Sequence, residues 1–190
     1  MKSALRLTVP GLMAPALALA MGLSLGLSGT LGTSGVAMAA ESEPVITTPK
    51  CKRGFAWDRK VRKCVKAKKS SSLDDEDLFN TARELAYERR YDEALAMINL
   101  AENQNTPRML NYRGFVTRKL GRVDEALGYY KAALAIDPNY TLVREYMGEA
   151  FIQLGQIDKA REQLNEIATR CGTGCREYAM LKTEIDKAVQ

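Results

Sequence analysis

The chain has 190 residues and a mass of 21.0 kDa, room for one ordinary domain or two small ones. Apolar residues make up 46% and charged residues 27%, with a net charge of +5, so the body can bury a core and is not a disordered tail. There is no histidine, which excludes imidazole-base catalysis, His-containing zinc sites and histidine pH switches.

Residues 1–39 read as a signal peptide. Lys2 and Arg6 open it, no further charge occurs before Glu41, and it ends in Val36-Ala37-Met38-Ala39-Ala40. Cleavage is expected after Ala39 or Ala40, giving a periplasmic or secreted protein; an uncleaved membrane anchor is the alternative, although Pro10, Pro15 and several glycines weaken a membrane helix. Processing leaves 26 basic and 23 acidic residues. Residues 50–69 hold ten Lys or Arg and one acid, Asp58, while residues 70–190 hold 16 basic and 20 acidic. A basic head thus precedes a mildly acidic body.

Residues 40–50, with Pro44 and Pro49, read as a linker. Residues 51–65 form a compact basic Cys-hairpin, and the polar residues 66–72 a second linker. Four cysteines in an exported chain point to disulfides. Sequence order suggests Cys51 with Cys64 and Cys171 with Cys175, with two other connectivities open. The run Cys51-Lys52-Arg53-Gly54-Phe55-Ala56-Trp57-Asp58, closed by Cys64, resembles short Cys-x-x-Gly-x-x-Trp-Asp hairpins appended to secreted proteins. Its basic residues, with Phe55 and Trp57, offer contact with an anionic cell-wall polymer or lipid; a solvated charge run is the simpler reading. Nucleic acid is not the expected partner.

From Leu73 the apolar spacing becomes three and four. Tyr91-Asp92-Glu93-Ala94, Val123-Asp124-Glu125-Ala126 and Ile157-Asp158-Lys159-Ala160 repeat with alanines 32 and 34 residues apart, the mark of stacked helical hairpins. Small residues Ala82, Gly114 and Gly148 are expected to let paired helices approach. Ile98, Tyr130 and Leu164 then fill the seams. The spacing predicts helices at about 73–88, 92–103, 107–120, 124–136, 141–154 and 158–170. Ser72 with Asp75 reads as a capping box, Thr106-Pro107 as a second helix start and Asp137-Pro138 as a stop. Asp74-Asp75-Glu76-Asp77 read as a first helical turn favoured by the dipole, in preference to a calcium site.

The residues 73–174 resemble three copies of the tetratricopeptide repeat family. The middle copy fits best, through Leu110, Gly114, Leu120-Gly121, Asp124-Glu125-Ala126, Tyr130, Ala133 and Asp137-Pro138-Asn139. Arg113 and Thr117 stand where the family has large apolar residues. The resemblance implies an all-α, right-handed α-solenoid, capped by an amphipathic helix in residues 175–190 that shows Tyr178, Leu181, Ile185 and Ala188 on one face. It also implies a protein or peptide partner in a concave groove near Phe79, Arg83, Tyr87, Asn111, Phe115, Arg118, Lys119, Glu145, Glu149 and Ile152. Arg83, Asn111, Arg118 and Lys119 would give that groove a basic lining suited to an acidic segment or carboxylate.

Cys171-Gly172-Thr173-Gly174-Cys175 reads as a structural staple in preference to a redox pair, since three residues intervene and no strand precedes it. No catalytic constellation, metal signature or cofactor motif is visible, so no enzyme activity or cofactor is expected.

Overall fold

The computed structural model describes residues 48–69 and 71–190. The expected signal segment 1–39 and most of the linker 40–50 lie outside these residues. Within them, two strands precede seven helices: β1 (Phe55–Asp58), β2 (Lys63–Lys66), α1 (Asp75–Tyr87), α2 (Tyr91–Leu100), α3 (Pro107–Lys119), α4 (Val123–Ile136), α5 (Thr141–Gln153), α6 (Ile157–Cys171) and α7 (Arg176–Ala188). No described helix is long and apolar enough to cross a membrane.

The Cys-hairpin is a two-stranded antiparallel ribbon in which Trp57 pairs with Cys64 and Phe55 with Lys66. Cys51 is bonded to Cys64 and Cys171 to Cys175. Asp58, fully buried, shapes the turn: its Oδ1 accepts from the backbone N–H groups of Lys60 and Val61 at 2.9 and 3.0 Å. The ribbon lies on the first helical hairpin, with Ala56 in the same apolar cluster as Leu78, Phe79 and Ala82.

The helix starts follow local chemistry. Asp74, not Ser72, caps α1: its side chain accepts from the Asp77 N–H at 2.9 Å, and Asp77 Oδ2 accepts in return from the Asp74 N–H. Ser72 instead donates its hydroxyl to Asp58 and so ties the ribbon to the helix start. Thr106 caps α3 with Pro107 at its first position, and α4 ends at Ile136 before Asp137-Pro138. Helix α2 stops three residues earlier than predicted. Gln104 donates to the carbonyls of Asn99 and Ala101, and Asp75 accepts from the N–H groups of Glu102 and Asn103 at 2.7 and 2.8 Å, so a fixed loop replaces the last turn.

Paired helices meet where the small residues lie. Ala82, Ala94, Ala126, Ala133 and Ala160 are fully buried, as are Ile98 and Tyr130. A Cβ on Gly114 would stand 2.5 Å from the Tyr130 ring. Gly148 departs from the expected pattern, since a Cβ there would meet Leu181 of α7 at 2.5 Å, while Leu164 remains only partly buried. The last helix, not the repeat's own second helix, fills that notch. Arg113 and Thr117 are accommodated differently from each other. Thr117 is fully buried, whereas Arg113 lies 5.5 Å from the Tyr129 ring and donates to Gln104 Oε1 at 2.5 Å.

Between paired helices the chain turns through a left-handed residue. Gly121 (φ 84°) and Gly155 (φ 70°) serve the second and third pairs, but Arg89 (φ 60°) serves the first. A residue with a Cβ is strained there by about 1–2 kcal/mol. Arg89→Gly is therefore expected to raise stability by about 0.5–1 kcal/mol after the extra backbone entropy of glycine is deducted, read as a higher denaturant midpoint at unchanged slope. Gly114→Ala should do the opposite, lowering stability by about 1–3 kcal/mol because the Tyr130 ring must shift.

Candidate peptide-binding groove

The first helices of the pairs, α1, α3 and α5, carry a chain of rings that ends on Tyr130 of α4. Phe79 meets Tyr112 edge-on at 4.8 Å, Tyr112 lies 6.0 Å from Phe115, Phe115 lies 5.1 Å from Tyr146, and Tyr146 lies 6.5 Å from Tyr130. Phe115 and Tyr146 are partly buried, and Tyr87, at the end of α1, is 67% exposed. Tyr87 comes close enough to Tyr146 to influence its phenol. Burial, then the nearby Glu145 carboxyl, holds that phenol protonated well above the usual range.

Beneath these rings lies a polar cluster. Arg118 is 3% exposed and forms an ion pair with Glu149. Its guanidinium carbon stands 5.9 Å from the ring centres of both Phe115 and Tyr146. Burial opposes its charge, but Tyr130 and Glu149 outweigh that and raise its pKa. Glu145 is fully buried one turn before Glu149, and neither of its carboxyl oxygens receives a hydrogen bond. Burial first, and the Glu149 carboxylate second, push Glu145 up to about 9, so it keeps its proton at neutral pH. Glu177 of α7, also buried, adds a third carboxyl to the cluster.

The ten residues picked from sequence divide into three groups. Phe79, Arg83, Asn111, Arg118 and Glu145 are buried; Phe115, Glu149 and Ile152 are partly buried; Tyr87 and Lys119 are exposed. Phe79 is covered by the Arg108 guanidinium, 3.6 Å above its ring. The expected basic lining is therefore corrected: three of its four members are enclosed, Arg118 is committed to Glu149, and Lys119 alone stands in solvent with its Nζ 5.5 Å from the Phe115 ring. Tyr146 escaped selection from sequence, although it is two residues before Gly148 as Tyr112 is before Gly114. The copy-to-copy alignment was the signal available for it. Met180 and Glu184 of α7 were also missed. They form, with Ala179, Thr183 and Glu149, an open cleft of about 280 Å³ beside the last repeat.

The basic head is partly spent within the molecule. Lys50 pairs with Glu88 at 2.6 Å, Arg53 with Glu93 at 3.4 Å, and Arg59 with Asp77 at 2.5 Å and Asp74 at 3.0 Å. Glu76 of the same acidic run holds Arg108 at 2.8 Å.

Profiles of the family described as tetratricopeptide repeat match residues 79–141 and 118–185, together more than half of the chain. The chain belongs to the tetratricopeptide repeat family. Among solved structures, the first such domain of human RPAP3 superposes with a TM-score of 0.54 at 17% identity, over 60% of this chain and 91% of its own. The Yersinia enterocolitica type III secretion chaperone SycD, in complex with a peptide of the translocator YopD, gives 0.51 at 18%, over 60% and 88%. The TPR2B domain of yeast Sti1, in complex with pHsp70, gives 0.53 at 19%, over 60% and 96%. No curated protein sequence matches at a significant level.

The protonated Glu145 sets a pH dependence for the repeat stack. Because its folded pKa lies above its unfolded one, the stability it permits is present in mild acid and declines as pH rises from about 4.5 towards 9. Glu145→Gln, which mimics the neutral form, should match the parent near pH 5 and exceed it by about 1–3 kcal/mol near pH 8, read by urea unfolding at both pH values.

Proposed function

We propose that this protein is an exported, non-catalytic scaffold that binds an extended or helical segment of another protein along the first helices of its repeats. The observation that carries the reading is the aromatic floor: Phe115 and Tyr146 in contact and only partly covered, with Tyr87 in solvent at its edge. Large rings left at a surface supply contact area at low entropic cost and are the usual anchors of protein recognition. SycD was solved with a peptide, and the Sti1 domain with pHsp70, which supports a peptide-binding use of the same fold here. Export is supported by the basic start, uncharged stretch and Ala-x-Ala end of residues 1–40, and by two pairs of cysteines placed to form bonds.

A second reading, attachment to an anionic polymer or lipid through residues 50–69, draws on the part of the head that remains outside. Arg62, Lys63, Lys66, Lys68 and Lys69 are exposed and enter no ion pair among the described residues, whereas Lys50, Arg53, Arg59 and Lys60 face acids of α1, α2 or its cap. The two readings separate by capture from the extracytoplasmic fraction of the source organism. The scaffold reading expects captured protein to be lost with a combined Tyr87→Ala and Phe115→Ala variant and kept when those five basic residues become glutamine. The converse result, retention by the first variant and loss by the second, would sink it in favour of attachment.

A further inference from the structure

The cleft between α5 and α7 differs in character from the aromatic floor. Its wall on α7 is Ala179, Met180 and Thr183, and carboxylates stand on both sides, Glu149 from α5 and Glu184 from α7. No lysine or arginine lines it. At about 280 Å³ it is just below the range of small-molecule pockets and is suited to one long side chain.

The carboxyl groups behind the cleft outnumber the cations that meet them. Glu145, Glu149 and Glu177 converge from α5 and α7, and the guanidinium that meets them is that of Arg118 from α3, already bonded to Glu149. Both oxygens of Glu145, and Oε2 of Glu177, are buried without a hydrogen-bond donor. Buried acceptors in this state are rare, and among the described residues Arg118 is the one cation paired with this cluster. On the open side, Glu184 is held by Lys187 at 2.7 Å, an exposed pair three residues apart along one helix that is weak and readily exchanged.

We propose that the α5–α7 cleft is the anchor pocket for a basic side chain, lysine or arginine, of the bound protein segment. The methylene stem lies along Ala179 and the adaptable thioether of Met180, and the cationic head sits between Glu149 and Glu184. This assignment rests on the groove reading above and names what the groove selects. It reverses the preference expected from sequence: the recognised segment carries positive charge at this end, not a carboxylate.

The test uses the processed full-length protein against a phage-displayed library of random dodecamers, followed by affinity measurements on the selected peptides. Enrichment of lysine or arginine at one shared position is expected, with that residue's replacement by norleucine weakening binding about tenfold. Glu184→Gln should weaken the same peptides to a similar degree, and Thr183→Arg, which places a cation in the cleft, should abolish their binding; both variants should retain the parental melting temperature, Thr183 being exposed and the half-buried Glu184 losing only its weak pair with Lys187. Peptides selected without a shared basic position would overturn the pocket and leave the groove reading intact. A basic preference indifferent to both Glu184→Gln and Thr183→Arg would also overturn it, by moving the anchor elsewhere. A library that yields no binder at all would count against the groove itself, and the pocket with it.

Discussion

The ring of Tyr130 occupies the space that a side chain at position 114 would need, and the concave face depends on that contact. It lets α4 lie close under α3, so that the Tyr130 phenol comes up beside Arg118 and within 6.5 Å of Tyr146. Arg118 then bridges to Glu149 on the next first helix. One small residue thus fixes the distance from second helix to first helix, and one buried guanidinium fixes the distance from first helix to first helix. Removing one partner of such a pair typically costs about 3–5 kcal/mol, because the other charge is left buried. The aromatic floor is held level by this arrangement: Phe115 and Tyr146 share the same guanidinium at 5.9 Å.

At the other end, the stack is closed by a segment outside the repeats. A first repeat has no preceding hairpin to cover its outer face, and here the disulfide-closed ribbon takes that place, with Ala56 in the core and Arg59 bonded to Asp77 and Asp74. These two acids are also the partners of the α1 capping box, so the helix start and the ribbon dock are one set of bonds. The remaining acids of the run work the same way: Asp75 holds the loop before α3, and Glu76 holds Arg108. The basic head and the acidic stretch that follows it therefore meet in one internal interface, which takes up Arg59 and Lys60 and leaves Arg62, Lys63, Lys66, Lys68 and Lys69 outside.

Much of the architecture was legible in the sequence because repetition multiplies weak signals. The 32- and 34-residue spacing located six helices, and the seventh followed from the apolar face of residues 175–190. The cap of α1 was misread because Ser72 and Asp75 satisfy a spacing rule that Asp74 and Asp77 also satisfy. What decides between them is Asp58, distant in sequence, which takes the Ser72 hydroxyl. The groove was harder. Alignment of the copies identifies which positions turn inward, but not whether they end as floor or as core. Arg118 and Lys119 are neighbours in sequence on the same helix, yet one is enclosed and the other free, because Glu149 lies 31 residues on and reaches only the first.

Similar reasoning explains why the last repeat differs from the middle one. In the middle pair the notch at Gly114 is filled from within the repeat, by Tyr130; in the last pair the notch at Gly148 is filled by Leu181, beyond it. A terminal helix that inserts its apolar side chain into the first helix of the preceding pair is drawn towards the concave side. It brings Glu177 inward on the same face as Leu181 and Ile185, since these positions are four residues apart. The adjoining face, with Met180 and Glu184, is then left as a wall facing Glu149. Two features of this end of the stack are in this way one consequence of a missing side chain: the helix that keeps the last core dry is also the one that stands across the cleft from Glu149.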